Sequence, residues 1–311
     1  MKSMKRANKR KFAVSGTALL TVAIFIAAFG NKLYGDTLRS LFANKTLLEF
    51  DTAQDFVRII DVGQGDGILI YSNGCSALID TGLTDTAEKI AEELDCALVT
   101  DIDAVLITHL HMDHAGGLLR LALKFPIDNL ILPRRDVTAE AAEIITDAER
   151  SVSASRGNVL TAVEGMNFQI GEFEITVIAY FPNAADENNR SIVTMAKIGD
   201  KKFLLTGDAG SPLETDMLES GLLLDCDVLK VGHHGSSSSC SEEFLAAASP
   251  EYAAISVGKN NTYSHPTAKT LKALSACGAE VYRTDTDGDI TFFAEHGEIR
   301  VETENREKSD K

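Results

Sequence analysis

The sequence predicts an α/β fold, a four-layer αββα sandwich in which two β-sheets pack face to face with helices on their outer sides. Two observations support this: strand-like apolar segments alternate with helical segments, and each half of the chain also contains a β-hairpin. The composition is that of a globular protein, since 44% of the 311 residues are hydrophobic and 24% are charged. We expect one domain over residues 54–303 and a charged tail over 304–311.

Residues 1–30 predict a membrane-targeting segment. The first eleven residues hold six basic groups and no acid, and residues 12–29 carry no charge. An apolar span of about 20 residues can cross the hydrocarbon core, with its basic flank on the cytoplasmic side. We therefore expect an exported domain, held to the membrane by a signal anchor or released by cleavage of a signal peptide. The absence of a clean small-x-small cleavage site favours the anchor, and residues 31–53 form a spacer.

The charge of the chain restricts its possible functions. The net charge is -16 although the N-terminus is basic, so the body of the protein repels a phosphate backbone at long range. This argues against a nucleic-acid coat protein, and any phosphate chemistry would need a local positive device such as a metal centre. Five cysteines without a C-x-x-C pair argue against a disulfide framework and against a cysteine-based zinc site.

The first half of the chain leads to a histidine-rich segment. The dipeptide Asn73-Gly74 is a hairpin signal. Asp85 and Glu88 have the spacing of a capping box and predict a helix to about residue 95. A further helix is expected from the histidine-rich segment to about residue 124. The predicted strands are residues 56–62, 67–71, 76–80 and 104–108.

The second half repeats this pattern. A hairpin over residues 191–205 turns at Gly199-Asp200 and leads into Thr206-Gly207-Asp208. The helices that follow are expected at residues 212–220, 241–248 and 267–277. Strands are expected at residues 227–231 and 252–257, with a closing pair at 280–284 and 290–293.

Six of the seven histidines lie at strand exits or loop starts, and only His296 lies in a plain turn, where we expect a solvated surface residue. The segment His109-Leu110-His111-Met112-Asp113-His114 follows a buried strand. The two alternating histidines leave an extended segment on one side, and Asp113 and His114 project from the first turn of a helix. Nitrogen and oxygen donors grouped in this way predict a dinuclear transition-metal site.

These motifs, in their order, resemble the metallo-β-lactamase-fold superfamily and, within it, the hydrolase domain of ComEC-type DNA-uptake competence proteins. The resemblance covers roughly residues 55–295. The motifs that carry it are His109-x-His111-x-Asp113-His114, Leu78-Ile79-Asp80-Thr81-Gly82, Thr206-Gly207-Asp208, Asp61-Val62-Gly63-Gln64-Gly65-Asp66, His233-His234-Gly235-Ser236 and Asn261-Thr262-Tyr263-Ser264-His265-Pro266.

The resemblance implies two divalent metal ions, Zn²⁺ or alternatively Mn²⁺. One ion would be held by His109 and His111 and the other by Asp113 and His114. Asp208 would bridge the two. Either His233 or His234 would complete the second site, and His234 is preferred because it lies further from the strand.

The resemblance also implies residues around the ligands. Asp80 would orient ligands as a buried carboxylate. Asp66, Asn189 and Tyr263 are expected to support ligands or contact substrate, and Asn189 belongs to a polar loop over residues 186–191. The candidate catalytic residues are Asp113, His233 and His265. Tyr263 and His265 could also protonate a leaving group.

One departure concerns the histidine that many superfamily members carry between the first cluster and the bridging aspartate. No histidine lies between His114 and Asp208. ComEC-type domains share this lack. It disfavours a β-lactamase and leaves one position of the His109/His111 ion to water, to His265 or to no fixed ligand.

The expected function is an exported metal-dependent hydrolase that cleaves phosphodiesters with a bridging hydroxide, as a ComEC-like nuclease or phosphodiesterase. DNA or a nucleotide is the favoured substrate. A single hydrophobic segment, in place of the many membrane spans of a competence channel, keeps an envelope phosphoesterase acting on phosphocholine or teichoic-acid groups as an alternative. A non-catalytic, metal-stabilised binding module is the other alternative. No obligate protein partner is indicated.

Overall fold

The computed structural model describes residues 54–136 and 138–305. The predicted leader and spacer, and most of the predicted tail, lie outside the described residues. Within this part of the chain, no helix combines the length and the apolar character needed to cross a bilayer.

The described part of the chain contains fifteen strands. They are β1 (Phe56–Ile59), β2 (Ile68–Ser72), β3 (Cys75–Ile79), β4 (Ile102–Leu106), β5 (Ile127–Leu132), β6 (Asn158–Thr161), β7 (Asn167–Ile170), β8 (Phe173–Ala179), β9 (Val193–Ile198), β10 (Lys201–Leu205), β11 (Val228–Lys230), β12 (Tyr252–Ile255), β13 (Glu280–Arg283), β14 (Ile290–Glu295) and β15 (Glu298–Thr303).

Eight α-helices and two 3₁₀ turns connect the described strands. The helices are α1 (Ala87–Cys96), α2 (Met112–Ala115), α3 (Leu118–Lys124), α4 (Ala142–Ala154), α5 (Ser211–Glu219), α6 (Glu242–Ala248), α7 (Ala268–Cys277) and α8 (Thr284–Asp287). The 3₁₀ turns are Asn188–Arg190 and Gly232–Gly235.

The strands form two mixed sheets. The first has the order β15-β14-β1-β2-β3-β4-β5-β6, and the second has the order β13-β12-β11-β10-β9-β8-β7. The pairs β3–β4–β5–β6 and β10–β11–β12–β13 are parallel, and the remaining pairs are antiparallel. Each sheet therefore has a parallel half, whose strands all end at the same edge.

The main core lies between the two sheets and uses alternate residues of each strand. Ile68 and Ile70 of the first sheet belong to the same buried cluster as Phe203 and Leu205 of the second. Leu204 points to the opposite face, where it packs in another cluster with side chains of α5, α6 and α7. Period-two alternation thus gives the second sheet two apolar faces, one for each core. The predicted sandwich of two sheets is confirmed.

Three local predictions were wrong. The capping box is absent, because α1 begins at Ala87 after Thr86, whose hydroxyl donates to the Leu83 carbonyl and caps no helical N–H. The single helix expected after the histidine-rich segment is two helices, α2 and α3. The Gly117 N–H donates to the Gly82 carbonyl, while the Asp113 carbonyl that would continue the helix accepts from the Asp66 N–H.

The predicted closing strand pair is the third error. β13 pairs with β12 in the second sheet, whereas β14 pairs with β1 and β15 in the first. The short helix α8 carries the chain from one sheet to the other. Neighbouring strands in sequence therefore close different layers, and the two sheets are joined at this end.

The two outer strands of the first sheet differ in character. All four residues of β6 are exposed and uncharged, and β6 pairs only with β5. On the opposite edge, β15 carries the charged residues Glu298, Arg300 and Glu302.

Candidate metal centre

The candidate site lies where strand ends of both sheets meet. In the first sheet, β3 ends before Asp80 and β4 ends before His109. In the second sheet, β10 ends before Asp208 and β11 ends before His233 and His234. Because parallel strands end at one edge of a sheet, these four strand exits deliver polar side chains to a common place, as in other α/β folds.

Asp80 is fully buried and fixes the first histidine cluster, residues 109–114. Its carboxylate accepts hydrogen bonds from the N–H and the hydroxyl of Thr108, both at 2.7 Å. It also lies 2.7 Å from Nδ1 of His114. This contact leaves Nε2 of His114 free to face the centre, which is the arrangement expected of a metal-binding histidine and its supporting carboxylate.

His109 and His111 face each other at the first cluster. Nε2 of His109 lies 3.1 Å from Nδ1 of His111, and His109 is fully buried while His111 is half-buried. Nδ1 of His109 lies 3.1 Å from the Thr108 hydroxyl and 3.4 Å from the Ser191 hydroxyl. The same Ser191 hydroxyl accepts from the Asp208 N–H at 3.0 Å, so one side chain connects His109 with the Asp208 backbone.

Asp208 lies between the two clusters. Its Oδ1 is 3.3 Å from Nε2 of His114 and 3.4 Å from Nε2 of His234. Nε2 of His234 is also 3.5 Å from Oδ2 of Asp113. In a tetrahedral zinc site with bonds of about 2.0–2.1 Å, neighbouring ligand atoms lie about 3.3 Å apart. The spacing of these atoms therefore matches that of a ligand shell.

The buried polar atoms at this place lack hydrogen-bond partners among the described residues. They include Nε2 of His114, Oδ1 of Asp208 and Nε2 of His234. Buried polar atoms are almost always paired, so a convergent set without partners needs an explanation. Two groups of possible ligands overlap here, His109 with His114 and Asp208, and Asp113 with His114 and His234. The residues present fit divalent metal ions, which the fold of this chain implies.

The second histidine cluster, His233 and His234, lies on a strained backbone. Both residues have left-handed conformations, with φ of 49° and 51°. Two consecutive left-handed residues other than glycine are unusual and persist only where the surroundings impose them. Nδ1 of His234 lies 2.9 Å from the Ser256 carbonyl at the end of β12, so Nε2 faces the carboxylates. The structure thus places Nε2 of His234, rather than a nitrogen of His233, in a group of close atoms that could hold a metal.

Opposite charges control the pKa values of these groups. Burial lowers the pKa of His114, but the Asp208 and Asp80 carboxylates outweigh it and raise that pKa well above its usual value. Burial likewise opposes the charged form of His234, yet Asp208 and Asp113 raise its pKa.

The carboxylates respond in the opposite direction. Burial raises the pKa of Asp208, but His234 and His114 more than offset it, so this pKa lies well below its usual range. For Asp113, burial is outweighed by the contact with His234 at 3.5 Å and the charge of His114, which lower the pKa to about 2. Without metal, the raised pKa values favour protonated His114 and His234 beside the ionised carboxylates.

A buried ion pair forms the floor of the site. Nζ of Lys230 lies 2.9 Å from Oδ2 of Asp66, and both side chains are almost completely buried. Oδ1 of Asp66 lies 3.5 Å from Nδ1 of His234. Asp66, Asp80 and His114 form a third group of close ligand atoms, but the Lys230 ammonium already neutralises its Asp66 carboxylate. We therefore assign Asp66 to the support of His234.

A cleft of about 480 Å³ opens over the inward-facing atoms. Its lining includes Asn188, Tyr263 and His265 as well as His233. Nε2 of His233 lies 3.9 Å from Oδ2 of Asp208 and 3.4 Å from the Asn188 amide nitrogen. His233 and His265, whose ring centroids are 5.6 Å apart, therefore lie side by side in the wall of the cleft, with His233 next to Asp208.

Asn189 lies elsewhere. Its Oδ1 accepts from the Gly210 N–H at 3.1 Å and is 3.4 Å from the Leu213 N–H, at the start of α5. This residue anchors the polar loop to the helix after Asp208, and it is not among the residues that line the cleft.

Sequence reasoning missed four residues that fix the ligands, namely Thr108, Ser191, Lys230 and Ser256. The signal for Lys230 was available, because a lysine inside the short apolar strand β11 must find a buried carboxylate. The contacts of Ser191 and of the Ser256 carbonyl carry no such signal, since any hydroxyl or backbone group could make them.

Comparison with known proteins agrees with this geometry. The sequence profile of the family described as the metallo-beta-lactamase superfamily matches residues 60–259. ComE operon protein 3 of Bacillus subtilis (strain 168) is 32% identical over 261 residues, which cover 76% of this chain and 32% of that protein. Competence protein ComA of Neisseria gonorrhoeae is 29% identical over 248 residues, which cover 79% of this chain and 33% of that protein.

The chain thus spans about a third of the length of the curated relatives it matches. Among solved structures, the metallo-beta-lactamase fold protein YhfI from Bacillus subtilis superposes with a TM-score of 0.52 at 13% identity. The match covers 77% of this chain and 99% of YhfI, and it concerns the fold alone. The predicted resemblance to ComEC-type competence proteins is confirmed, and the chain belongs to the metallo-β-lactamase superfamily.

Proposed function

We propose that the protein is an exported metal-dependent hydrolase that cleaves phosphodiesters, as a nuclease or nucleotide phosphodiesterase. One observation carries the proposal. Inward-facing atoms of His114, Asp208 and His234 converge without hydrogen-bond partners among the described residues, at the spacing of a ligand shell, below an open cleft. Members of this superfamily are mostly hydrolases, and the resemblance to competence proteins favours nucleic acid as the substrate class.

The residues suit two divalent ions with nitrogen and oxygen ligands, and we propose Zn²⁺ with Mn²⁺ as the alternative. His109, His111 and Asp208 would hold one ion, and Asp113, His114, His234 and Asp208 the other. Such ions lower the pKa of bound water towards about 7 and neutralise phosphate oxygens. In a protein with a net charge of -16, this gives a phosphate an attractive place that is confined to the cleft.

The protein's own groups would position the substrate. Burial, together with the charge of neighbouring histidines, lowers the pKa of both His233 and His265, so both rings are neutral at pH 7. A neutral imidazole can donate one hydrogen bond and accept another. His233 and His265 can therefore orient phosphate oxygens above Asp208, while Asp113 remains ionised over the whole physiological pH range.

The test is hydrolysis by the full-length chain with Zn²⁺ or Mn²⁺. The substrates are single-stranded DNA, duplex DNA and bis-p-nitrophenyl phosphate. We expect cleavage of at least one substrate. Asp208→Ala should lower kcat at least about 100-fold, because loss of a residue that only supports a metal ligand already costs up to about 100-fold.

Asp200→Ala is the matched control, because Asp200 is an exposed aspartate in the turn of the same β9–β10 hairpin that leads to Asp208. Thermal unfolding should show that both variants are folded. Unchanged turnover in Asp208→Ala would contradict the bridging role. Inactivity of the unaltered chain on all three substrates with both metals would favour a binding module instead.

A further inference from the structure

An aromatic ring stands exposed at the mouth of the metal cleft. Tyr263 lines the cleft, and its relative exposure is 65%. The other large hydrophobic residues with high exposure in the described part of the chain are aliphatic, and none of them lines this cleft. Exposing a tyrosine ring to water has a cost in hydrophobic free energy that a bound ligand could recover.

Tyr263 is the outermost ring of a series that leads inward. It stacks on His265, with ring centroids 5.7 Å apart and an interplanar angle of 26°. His265 contacts His233 edge to face at 5.6 Å, and His233 lies 3.9 Å from Asp208. The ring therefore stands a short way along the cleft from the inward-facing ligand atoms, and one of its faces is already covered.

The loop that carries Tyr263 is held by hydrogen bonds on both sides of the ring. The Asn261 amide donates to the carbonyls of Gly258 and His265, at 3.0 and 2.7 Å, and its oxygen accepts from the His265 N–H at 3.0 Å. The Gly258 N–H donates to Gln64, another residue of the cleft wall, at 3.2 Å. A ring carried by an anchored loop adds little backbone entropy cost when a ligand stacks on it.

One open face selects among ligand types. Quaternary ammonium groups such as choline are recognised by cages of several aromatic rings. Tyr263 offers a single open face, because its other face is turned towards the ring of His265. A flat ring that needs only one partner face fits this arrangement, and nucleobases bind to single aromatic side chains in this way in proteins that hold unpaired strands.

We propose that Tyr263, supported by His265, is a stacking platform for an unpaired nucleobase next to the phosphate that enters the metal cleft. This inference rests on the proposed phosphodiesterase function and makes it narrower. It favours single-stranded nucleic acid or a nucleotide over an envelope phosphoester, because bases inside a duplex already stack on their neighbours and cannot cover Tyr263.

The first experiment uses the absence of tryptophan from the sequence. Tyr263→Trp would place a single indole at the platform, and its fluorescence would report stacking directly. The full-length, Zn²⁺-loaded variant is titrated with thymidine 5′-monophosphate, deoxyribose 5-phosphate and phosphocholine, none of which contains a cleavable nucleic-acid diester. We expect quenching by the nucleotide alone. Equal quenching by the base-free sugar phosphate, quenching by phosphocholine, or no quenching by the nucleotide would overturn the proposal.

The second experiment measures affinities by calorimetry on the otherwise unaltered chain. Stacking on an aromatic side chain contributes about 1–3 kcal/mol per base, so thymidine 5′-monophosphate should bind roughly 5- to 150-fold more tightly than deoxyribose 5-phosphate. Tyr263→Ala should abolish this difference, and Tyr263→Phe should restore it. Leu223→Ala is the control for loss of an exposed apolar side chain, because Leu223 is 92% exposed and is not part of the cleft lining.

These results separate the platform from the proposed activity. If the nucleotide quenches Tyr263→Trp but the unaltered chain cleaves no phosphodiester, the platform stands and the proposed function fails. If the chain cleaves DNA but the nucleotide and the base-free sugar phosphate bind it equally well, the function stands and the platform fails.

Discussion

The two histidine clusters reach the same centre by different physical means. In the first cluster, residues 109–114, the ligands have ordinary conformations, with His111 extended and His114 in α2. Their orientation comes from a buried charge, the Asp80 carboxylate on Nδ1 of His114. In the second cluster, His233 and His234 are both left-handed, and a neutral carbonyl, that of Ser256, fixes Nδ1 of His234.

The two halves of the molecule orient their histidines by different interactions. The first sheet provides electrostatic support and keeps relaxed ligands, although Asp80 itself has a φ of 61°. The second sheet provides a strained turn and a neutral carbonyl, and the Asp66 carboxylate also lies 3.5 Å from Nδ1 of His234. Removal of the Asp80 charge should therefore act mainly through the first cluster, whereas changes of backbone freedom should act mainly through the second.

The largest expected effect is that of pH on metal affinity. The pKa values of His114 and His234 are raised in the metal-free chain, so below about pH 6.5 each imidazole holds a proton that a metal must displace. One proton comes from each cluster. The overall affinity should therefore rise about 100-fold per pH unit between about pH 5.5 and 6.5. Competition with a chelator measures this slope, and a slope of zero would contradict the protonation of both histidines.

The contribution of His114 and His234 to the stability of the metal-free chain should follow the opposite course at neutral and alkaline pH. A histidine with a raised pKa stabilises the folded state fully below its unfolded pKa of about 6.5, and this stabilisation is lost as pH rises through the folded value. Asp113, with a pKa of about 2 instead of 3.8, adds stability above pH 3.8 that is lost as pH falls towards 2. Thermal unfolding with chelator present tests both directions.

A charge-removing substitution at Asp80 should be next in size. Asp80→Asn keeps the shape of the side chain but replaces one carboxylate oxygen with an amide N–H donor. This donor would face Thr108 or His114, which are themselves donors in the unaltered protein. Loss of a carboxylate that supports a metal-binding histidine lowers metal affinity roughly 10- to 100-fold. The same variant should reduce the pH slope below about 100-fold per unit, because His114 loses one of the two carboxylates that retain its proton, while Asp208 remains.

Asp103→Asn is the control for this substitution. Asp103 accepts a hydrogen bond from the Ser76 N–H within the first sheet and does not line the cleft. If both variants bind metal equally well, Asp80 has no specific role in the first cluster.

The smallest expected effect concerns the strain in the second cluster. His233→Gly should relieve about 1–2 kcal/mol of left-handed strain, while the added freedom of the unfolded chain costs about 0.5–1 kcal/mol. The free energy of unfolding of the metal-free chain should therefore rise by about 1 kcal/mol or less. Activity should fall at the same time, because the ring beside Asp208 is lost.

Ser249→Gly separates these two effects. Ser249 is exposed, has a φ of 43° at the end of α6, and is not part of the cleft lining. The Ser249→Gly variant should gain free energy of unfolding, measured by chemical denaturation, and its turnover should be unchanged. A destabilised His233→Gly would show that the turn is supported by contacts rather than strained.

The candidate metal ligands after the strands could be predicted well because neighbouring residues in the sequence already indicate their chemistry. A buried apolar strand followed by several histidines and aspartates has few uses other than a metal centre, and His109, Asp113, His114, Asp208 and His234 do converge. The elements between residues 125 and 190 escaped prediction. There, β6 is short and all of its residues are exposed, so it lacks the alternation that marks a half-buried strand.

Long-range pairing was also beyond local reasoning. β13 and β14 are neighbours in sequence, and only the placement of α8 decides that they join different sheets. The ion pair of Asp66 and Lys230 joins residues far apart in sequence, so the partner of either could not be named in advance.

The uncharged outer strand β6 has a consequence for handling the protein in solution. An open strand edge offers unpaired backbone groups to any other chain, and natural proteins commonly guard such edges with charge. The charges of β15 guard one side of the first sheet, whereas the outer strand on the other side, Asn158–Thr161, carries no charge, and Val163 is exposed just beyond it in the described part of the chain. At high protein concentration, intermolecular strand pairing would begin at β6, and a lysine in place of Leu160 is the natural change for suppressing aggregation.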